Sequence, residues 1–161
     1  MKVCLISLGC DKNLADSEIM ISILREHGHV VVESEEEAEA IIINSCCFIN
    51  DAKEESINTI LECAAYKESG LKYLIVAGCL AQRYPVEIQE AIPEVDVLLG
   101  TAAYADIAKA LDGLETVTEN QEKKLYFREP DYLPELTVKR GHFTGTSYAY
   151  LKIAEGCDKH C

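Results

Sequence analysis

The sequence predicts an α/β fold built on a five-stranded, mostly parallel sheet with helices on both faces. Two observations carry this. Three short apolar runs, Cys4-Leu5-Ile6-Ser7-Leu8-Gly9-Cys10, Ile41-Ile42-Ile43-Asn44-Ser45-Cys46 and Leu74-Ile75-Val76-Ala77-Gly78-Cys79, are rich in Leu, Ile and Val and show little polar alternation. Such runs are the mark of strands buried on both faces, as in parallel sheets. A helix-like segment follows each run, which makes all three strands point the same way. Each run then delivers a cysteine to the carboxyl edge, where open α/β sheets bind their ligands.

The elements follow in order. Residues 2–8 read as the first strand, and a helix from about Leu14 to His27 places Met20, Ile23, Leu24 and His27 on one face before Gly28 stops it. His29 to Val32 read as a brief strand, and the acidic run from Glu33 to Glu39 as a solvated connection. Ala40 to Asn44 form the third strand, with a helix from about Asp51 to Tyr66 behind it, closed by Gly70. Lys72 to Ala77 form the fourth strand, followed by a short helical turn, a helix opened by Pro85 and ended by Pro93, and a fifth strand from Val95 to Leu99. A last helix shows Tyr104, Ile107, Ala108 and Leu111 and ends at Gly113.

The pattern is that of a flavodoxin-like or Rossmann-like sheet. With the order 2-1-3-4-5, the cysteine-bearing strands are immediate neighbours, and their exit loops start within roughly 10 Å of one another. Residues 1–113 therefore read as one domain. Residues 114–147 read as a linker, with two prolines in Glu129-Pro130-Asp131-Tyr132-Leu133-Pro134 and room for a short strand near Leu125 to Phe127. Tyr148 to Ala154 read as a strand leading to Glu155-Gly156-Cys157-Asp158-Lys159-His160-Cys161.

With 48 % hydrophobic residues in 161, the chain has the bulk for a real core, and no apolar run approaches the roughly 20 residues of a membrane helix. The first apolar run is too brief for a signal peptide, and Ser7 stands where a lipoprotein signal wants Leu. A cytoplasmic protein is expected. The net charge of −13 is concentrated in residues 1–112, with 8 Lys/Arg against 20 Asp/Glu. An acidic domain repels a nucleic-acid backbone and suits a basic protein partner, or simply keeps the chain in solution.

Eight cysteines in a cytoplasmic chain point to ligands or reactive thiols rather than disulfides. Soft thiolates select Zn, Cu(I) or iron–sulfur clusters. A structural Zn site draws ligands in close pairs, whereas Cys10, Cys46 and Cys79 come singly, one per loop. One shared cluster is expected, with independent loop or core thiols as the plainer reading. Three thiolates would leave one iron of a [4Fe–4S] cluster open to a substrate or an exogenous sulfur atom. Cys4, inside a strand, and Cys63, inside a helix, read as small core side chains; Cys47 could compete with Cys46; His27, His29 and His142 lack ligand spacing. Cys157 and Cys161 have C-x₃-C spacing, and a cysteine three residues further on would complete the C-x₃-C-x₂-C signature of radical S-adenosylmethionine enzymes.

Four stretches taken together resemble the methylthiotransferase family of radical S-adenosylmethionine enzymes. They are residues 7–18 (Ser-Leu-Gly-Cys-Asp-Lys-Asn-Leu-Ala-Asp-Ser-Glu), Asn44 to Ile49, Gly78 to Arg83 and Ala149 to Cys161. Lys12-Asn13-Leu14, Phe48-Ile49 and Lys152-Ile153-Ala154-Glu155-Gly156 resemble the branch acting on the small-subunit ribosomal protein uS12 rather than the branch modifying tRNA. The resemblance implies that Cys10, Cys46 and Cys79 hold an auxiliary [4Fe–4S] cluster. Cys157 and Cys161, with a third cysteine beyond this chain, would hold a second cluster that binds S-adenosylmethionine. It further implies insertion of a methylthio group at the β-carbon of a uS12 aspartate, by way of a 5′-deoxyadenosyl radical, with a reductant and a sulfur donor left unspecified. On this reading the chain is an amino-terminal fragment, inactive alone and binding at most the auxiliary cluster. A tRNA-modifying relative, a flavodoxin-like electron carrier or binding module, and a structural Zn protein remain as rivals.

Overall fold

The structure, a computed structural model, describes residues 1–115, 124–129, 132, 140–141 and 148–153. Its centre is a six-stranded sheet of order β2-β1-β3-β4-β5-β6, every pairing parallel. The strands are β1 (Lys2–Ser7), β2 (Val30–Val32), β3 (Ala40–Ser45), β4 (Tyr73–Gly78), β5 (Val97–Leu99) and β6 (Lys124–Tyr126). The helices are α1 (Asp11–Glu26), α2 (Asn50–Ala65), α3 (Cys79–Arg83), α4 (Pro85–Ala91) and α5 (Ile107–Glu115). The expected order holds for the first five strands. β6 adds a sixth from the stretch read as linker, next to β5, where Gly100 N–H donates to the Tyr126 carbonyl at 2.8 Å.

Alternate side chains along each strand go to opposite faces, and the two cores separate accordingly. Val3, Ile42, Ile75, Ala77, Val97 and Leu99 meet α1 and α5 through Met20, Leu24, Ile107 and Leu111. Cys4, Ile41, Ile43, Leu74, Val76 and Leu98 meet α2, α3 and α4 through Ile60, Cys63, Leu80 and Ile88. Cys4 and Cys63 are thus small core side chains, each 3 % exposed. Every residue of β3 is buried, which explains its unbroken apolar run.

Several boundaries differ from expectation. α1 begins at Asp11, because Cys10 takes an extended conformation and its carbonyl accepts the Leu14 N–H at 3.2 Å. β5 starts at Val97, since Val95 and Asp96 turn out of the α4 connection and the Asp96 amide bonds the Leu74 carbonyl at 2.8 Å. Tyr104 lies in a 3₁₀ turn ahead of α5, and α5 runs through Gly113 to Glu115, its apolar face holding Leu114 in the core. A single glycine weakens a helix without ending it when packing continues. Within the acidic run, residues 35–37 form a 3₁₀ turn and Glu39 takes Lys72 Nζ at 2.6 Å and the Lys2 amide at 2.8 Å. Residues 148–153, expected as a strand, form no ladder among the described residues, and a strand exists only beside one.

Candidate metal centre at the carboxyl edge

The register of the sheet sets the loops. Ser7 pairs with Asn44, and Asn44 with Ala77; Ser45 pairs with Gly78. Cys46 and Cys79 are therefore the next residues on adjacent parallel strands, which run about 4.8 Å apart. Cys10 follows β1 by three residues, and its loop folds back on Cys46. Gly9, at φ +84°, lies so close that a Cβ there would stand 2.3 Å from the Cys46 Cβ. Gly78, at φ +91°, abuts the Ser45 carbonyl just as tightly, with a built Cβ at 2.4 Å. Cys46 is 3 % exposed, Cys79 is half-buried as the first residue of α3, and Cys10 is exposed; all three are free thiols.

A buried polar network ties the three loops together. Asn13 Nδ2 donates to the Leu8 carbonyl at 2.9 Å and to the Ser45 carbonyl at 3.0 Å, joining the first loop to the end of β3. Asn44 Nδ2 donates to the Asn13 carbonyl at 2.8 Å and to Ser17 Oγ at 3.0 Å. Ser17 Oγ in turn donates to Ser7 Oγ at 2.9 Å, and Ser45 Oγ to the Ala77 carbonyl at 2.5 Å. Ser56 of α2 both accepts from the Cys46 amide and donates to the Cys46 carbonyl, each at 2.9 Å. Buried polar groups demand such partners. Their fixed geometry holds three separate loops as one rigid rim.

The electrostatics reflect the same proximity. Burial pushes the Cys79 thiol up; Cys46 and Cys47 raise it further, Lys12 pulls it down, and Cys10 adds a smaller upward push. Burial also raises the Cys47 thiol, opposed chiefly by Arg83, with Cys46 adding to the rise and Lys53 to the opposition. Lys53 Nζ sits 4.0 Å from the Tyr84 ring centroid. Three cations thus surround the cysteine edge of an otherwise acidic domain, and positive charge favours thiolates over thiols.

The donor set tests which group could sit here. Among the described residues, no three of His, Cys, Asp and Glu converge closely enough to hold one metal ion. A mononuclear Zn site needs every sulfur within about 2.3 Å of one atom. A cluster instead takes each thiolate on a different iron, so three thiols on adjacent loops with glycine-lined backbone suit it. Cys157, Cys161 and His142 lie outside the described residues. His27 and His29 stand well away, at the far end of α1, with Asp112 Oδ2 3.4 Å from His27 Nδ1 and Asp112 Oδ1 3.5 Å from His29 Nε2.

Sequence reasoning missed the supporting residues. Asn13, Ser17, Asn44, Ser45 and Ser56 are all at most 2 % exposed. Their one signal in the sequence was polarity where apolar strands and a helix should have continued, at Asn44-Ser45 above all. Asp16 and Glu18 are also buried, at 5 % and 2 %.

Residues 2–100 match the family described as Uncharacterized protein family UPF0004. The chain is also similar to curated proteins named "Ribosomal protein uS12 methylthiotransferase RimO". One, from Lachnoclostridium phytofermentans, is 55 % identical over 162 residues, covering 100 % of this chain and 36 % of that protein. Another, from Acetivibrio thermocellus, is 47 % identical over 163 residues, covering 99 % of this chain and 36 % of its own. A third, from Pelotomaculum thermopropionicum, is 48 % identical over 162 residues, again covering 36 % of its length. The chain thus spans about a third of the length of the relatives it matches. With the match running over more than half the chain and across all three cysteine loops, this protein belongs to the UPF0004 family.

Proposed function

We propose that residues 1–113 form the auxiliary [4Fe–4S] domain of a radical S-adenosylmethionine methylthiotransferase, with Cys10, Cys46 and Cys79 as the protein ligands. The supporting observation is the delivery of three free thiols by neighbouring parallel strands to one edge, on loops locked by Asn13, Asn44 and Ser56. In the whole enzyme the substrate is ribosomal protein uS12, and the methylthio group goes to the β-carbon of one of its aspartates. The relatives' name supports this, as does the charge, because a −12 domain attracts a basic ribosomal protein and repels RNA. The protein works in the cytoplasm. Cys157 and Cys161 belong to a second cluster site that binds S-adenosylmethionine, begun at residues 148–161, with residues 114–147 as linker.

The residues perform distinct tasks in this reading. Gly9 and Gly78 remove side-chain bulk so that the loops pack on one another, Gly9 against Cys46 and Gly78 against the Ser45 carbonyl. Lys12 lowers the cost of a thiolate at Cys79, and Arg83 and Lys53 do so beside Cys47. Cys46, buried and tied through Ser56, is the rigid point, and Cys10 is the exposed one. A cluster bound by three protein thiolates supplies an iron open to exogenous sulfur. Mutual repulsion among the thiolates would be relieved when a metal cation neutralises them.

The test is anaerobic reconstitution with iron and sulfide, counting iron and following visible sulfide-to-iron absorption. About four irons per chain are expected. Cys10→Ala, Cys46→Ala and Cys79→Ala should each lose the cluster, while Cys47→Ala and Cys63→Ala keep it. Equal uptake by all variants, or none by folded wild type, would remove the proposed site.

A further inference from the structure

The Asp16-Ser17-Glu18 triplet of α1 has a task that the cysteines do not explain. Both carboxylates are buried, and a buried carboxylate left without a cation is strongly destabilising. Apart from Lys12, four residues before Asp16, their partners come from more than a hundred residues away. Asp16 Oδ1 takes Lys152 Nζ at 2.5 Å, while Asp16 Oδ2 takes Lys12 Nζ at 2.7 Å. Glu18 Oε2 accepts from Arg140 Nε at 2.5 Å and forms an ion pair with the same guanidinium through Nη2. Arg140 also donates from Nη1 to the Tyr150 carbonyl, joining the two described pieces of this segment. The Gly141 amide donates to Ser22 Oγ, one turn further along α1, at 2.6 Å. Lys152 Nζ lies 4.7 Å from the Tyr104 ring centroid, so it is enclosed between α1 and the turn before α5. At the start of α1 the Tyr150 hydroxyl bonds the Asp11 side chain.

We propose that Asp16 and Glu18 are positioning residues: they lock Lys152 and Arg140 onto α1 and so fix where the chain runs into Cys157-x₃-Cys161 relative to Cys10. This rests on the reading above that the two cysteine sets serve one reaction. Asp16 is six residues from Cys10, about 9 Å along a helix. Lys152 is five residues from Cys157, at most about 18 Å of extended chain. The Asp16 carboxylate, with one oxygen on Lys12, two residues after Cys10, and the other on Lys152, links α1 to the segment that leads to Cys157. A solvent-exposed tether would not need buried charge. Here the buried charge demands a cation at a set place, which is the attested use of buried ionic groups for register.

The experiment uses the metal-free 161-residue chain. Bis-maleimide reagents of graded length are applied, and Cys10 links to Cys157 or Cys161 are quantified by mass spectrometry, beside hydrogen exchange of residues 148–153. Lys152→Met lies on the segment rather than on α1 and leaves Lys12 pairing Asp16, so the sheet should stay folded; Arg140→Met, which takes the guanidinium from buried Glu18, is compared only after circular dichroism shows a folded sheet. Each should cut the Cys10 cross-link yield several-fold and speed exchange at 148–153 at least tenfold. The reversed pair Glu18→Arg with Arg140→Glu should recover much of both. Iron uptake at the three-loop site should be unchanged in Lys152→Met. Absent cross-links in wild type, or yields and exchange unmoved in both single variants, would overturn the proposal. Because these readouts need no iron, a failed reconstitution would instead count against the cluster site.

Discussion

Gly9 packs against Cys46 so tightly that a Cβ on Gly9 would fall 2.7 Å from the Cys46 sulfur and closer still to its Cβ. Two residues 37 positions apart in the chain are in contact because β1 and β3 are hydrogen-bonded neighbours. The glycine preceding Cys10 is therefore less a flexible joint than a space left for another loop's thiol.

Gly9→Ala should accordingly cost about 1–3 kcal/mol from backbone strain at φ +84°, before any overlap with Cys46. Urea denaturation would measure it. Iron uptake should fall by more than stability does, since Cys46 must shift to admit the methyl. Gly78→Ala should be harsher, because the atom it meets is the Ser45 backbone carbonyl, which has less freedom to yield than a side chain. A Gly78→Ala protein as stable as wild type would contradict this packing.

Asn44→Ala removes two donated hydrogen bonds, to the Asn13 carbonyl and the Ser17 hydroxyl, while Ser17 keeps its bond to Ser7 Oγ. Each lost bond contributes about 0.5–1.5 kcal/mol. The variant should therefore lose roughly 1–3 kcal/mol in urea, with the Cys10 loop loosening first in hydrogen exchange. Loss of stability without local loosening would place the role of Asn44 in the core rather than in the rim.

Ser56→Ala addresses a single junction. It leaves the buried Cys46 amide without its acceptor, at a cost of about 1–3 kcal/mol. Cys46 amide exchange should accelerate, while α2 keeps its helicity, since alanine is the better helix former.

Cys4 and Cys63 supply a pH prediction. Burial pushes both thiols from 9.0 up to about 11, with Glu35 adding to the rise in each. The folded state keeps these protons longer than the unfolded chain does. Above pH 9 the unfolded state thus binds fewer protons, and stability should fall as pH rises toward about 11, with no such contribution lost below pH 9. At pH 8 under native conditions, mass spectrometry after iodoacetamide should find exposed Cys10 modified early, with Cys4 and Cys63 last. Replacing Cys63 with alanine should flatten the alkaline slope.

How much was legible beforehand differs from element to element. Ile41-Ile42-Ile43 announced a strand buried on both faces, and the recurrence of a small residue and a cysteine after three such strands announced a common edge. Those features are local, and period and composition alone encode them. β6 was foreseen only as room for a short strand near Leu125 to Phe127, because three residues become a strand only when β5 offers its free edge. Gly113 failed to end α5 because Leu114 had core to bury in, a matter of tertiary packing rather than propensity.

The sequence by itself determined which stretches are buried parallel strands and the identity of the three candidate ligands, since buried-strand patterning and cysteine placement are properties of contiguous residues. Only the tertiary structure decided which polar groups clamp the loops, and that Asp16 and Glu18 reach Lys152 and Arg140. A buried hydrogen bond or ion pair joins residues the chain keeps far apart, and its partner is chosen by where the sheet and α1 leave polar atoms out of water.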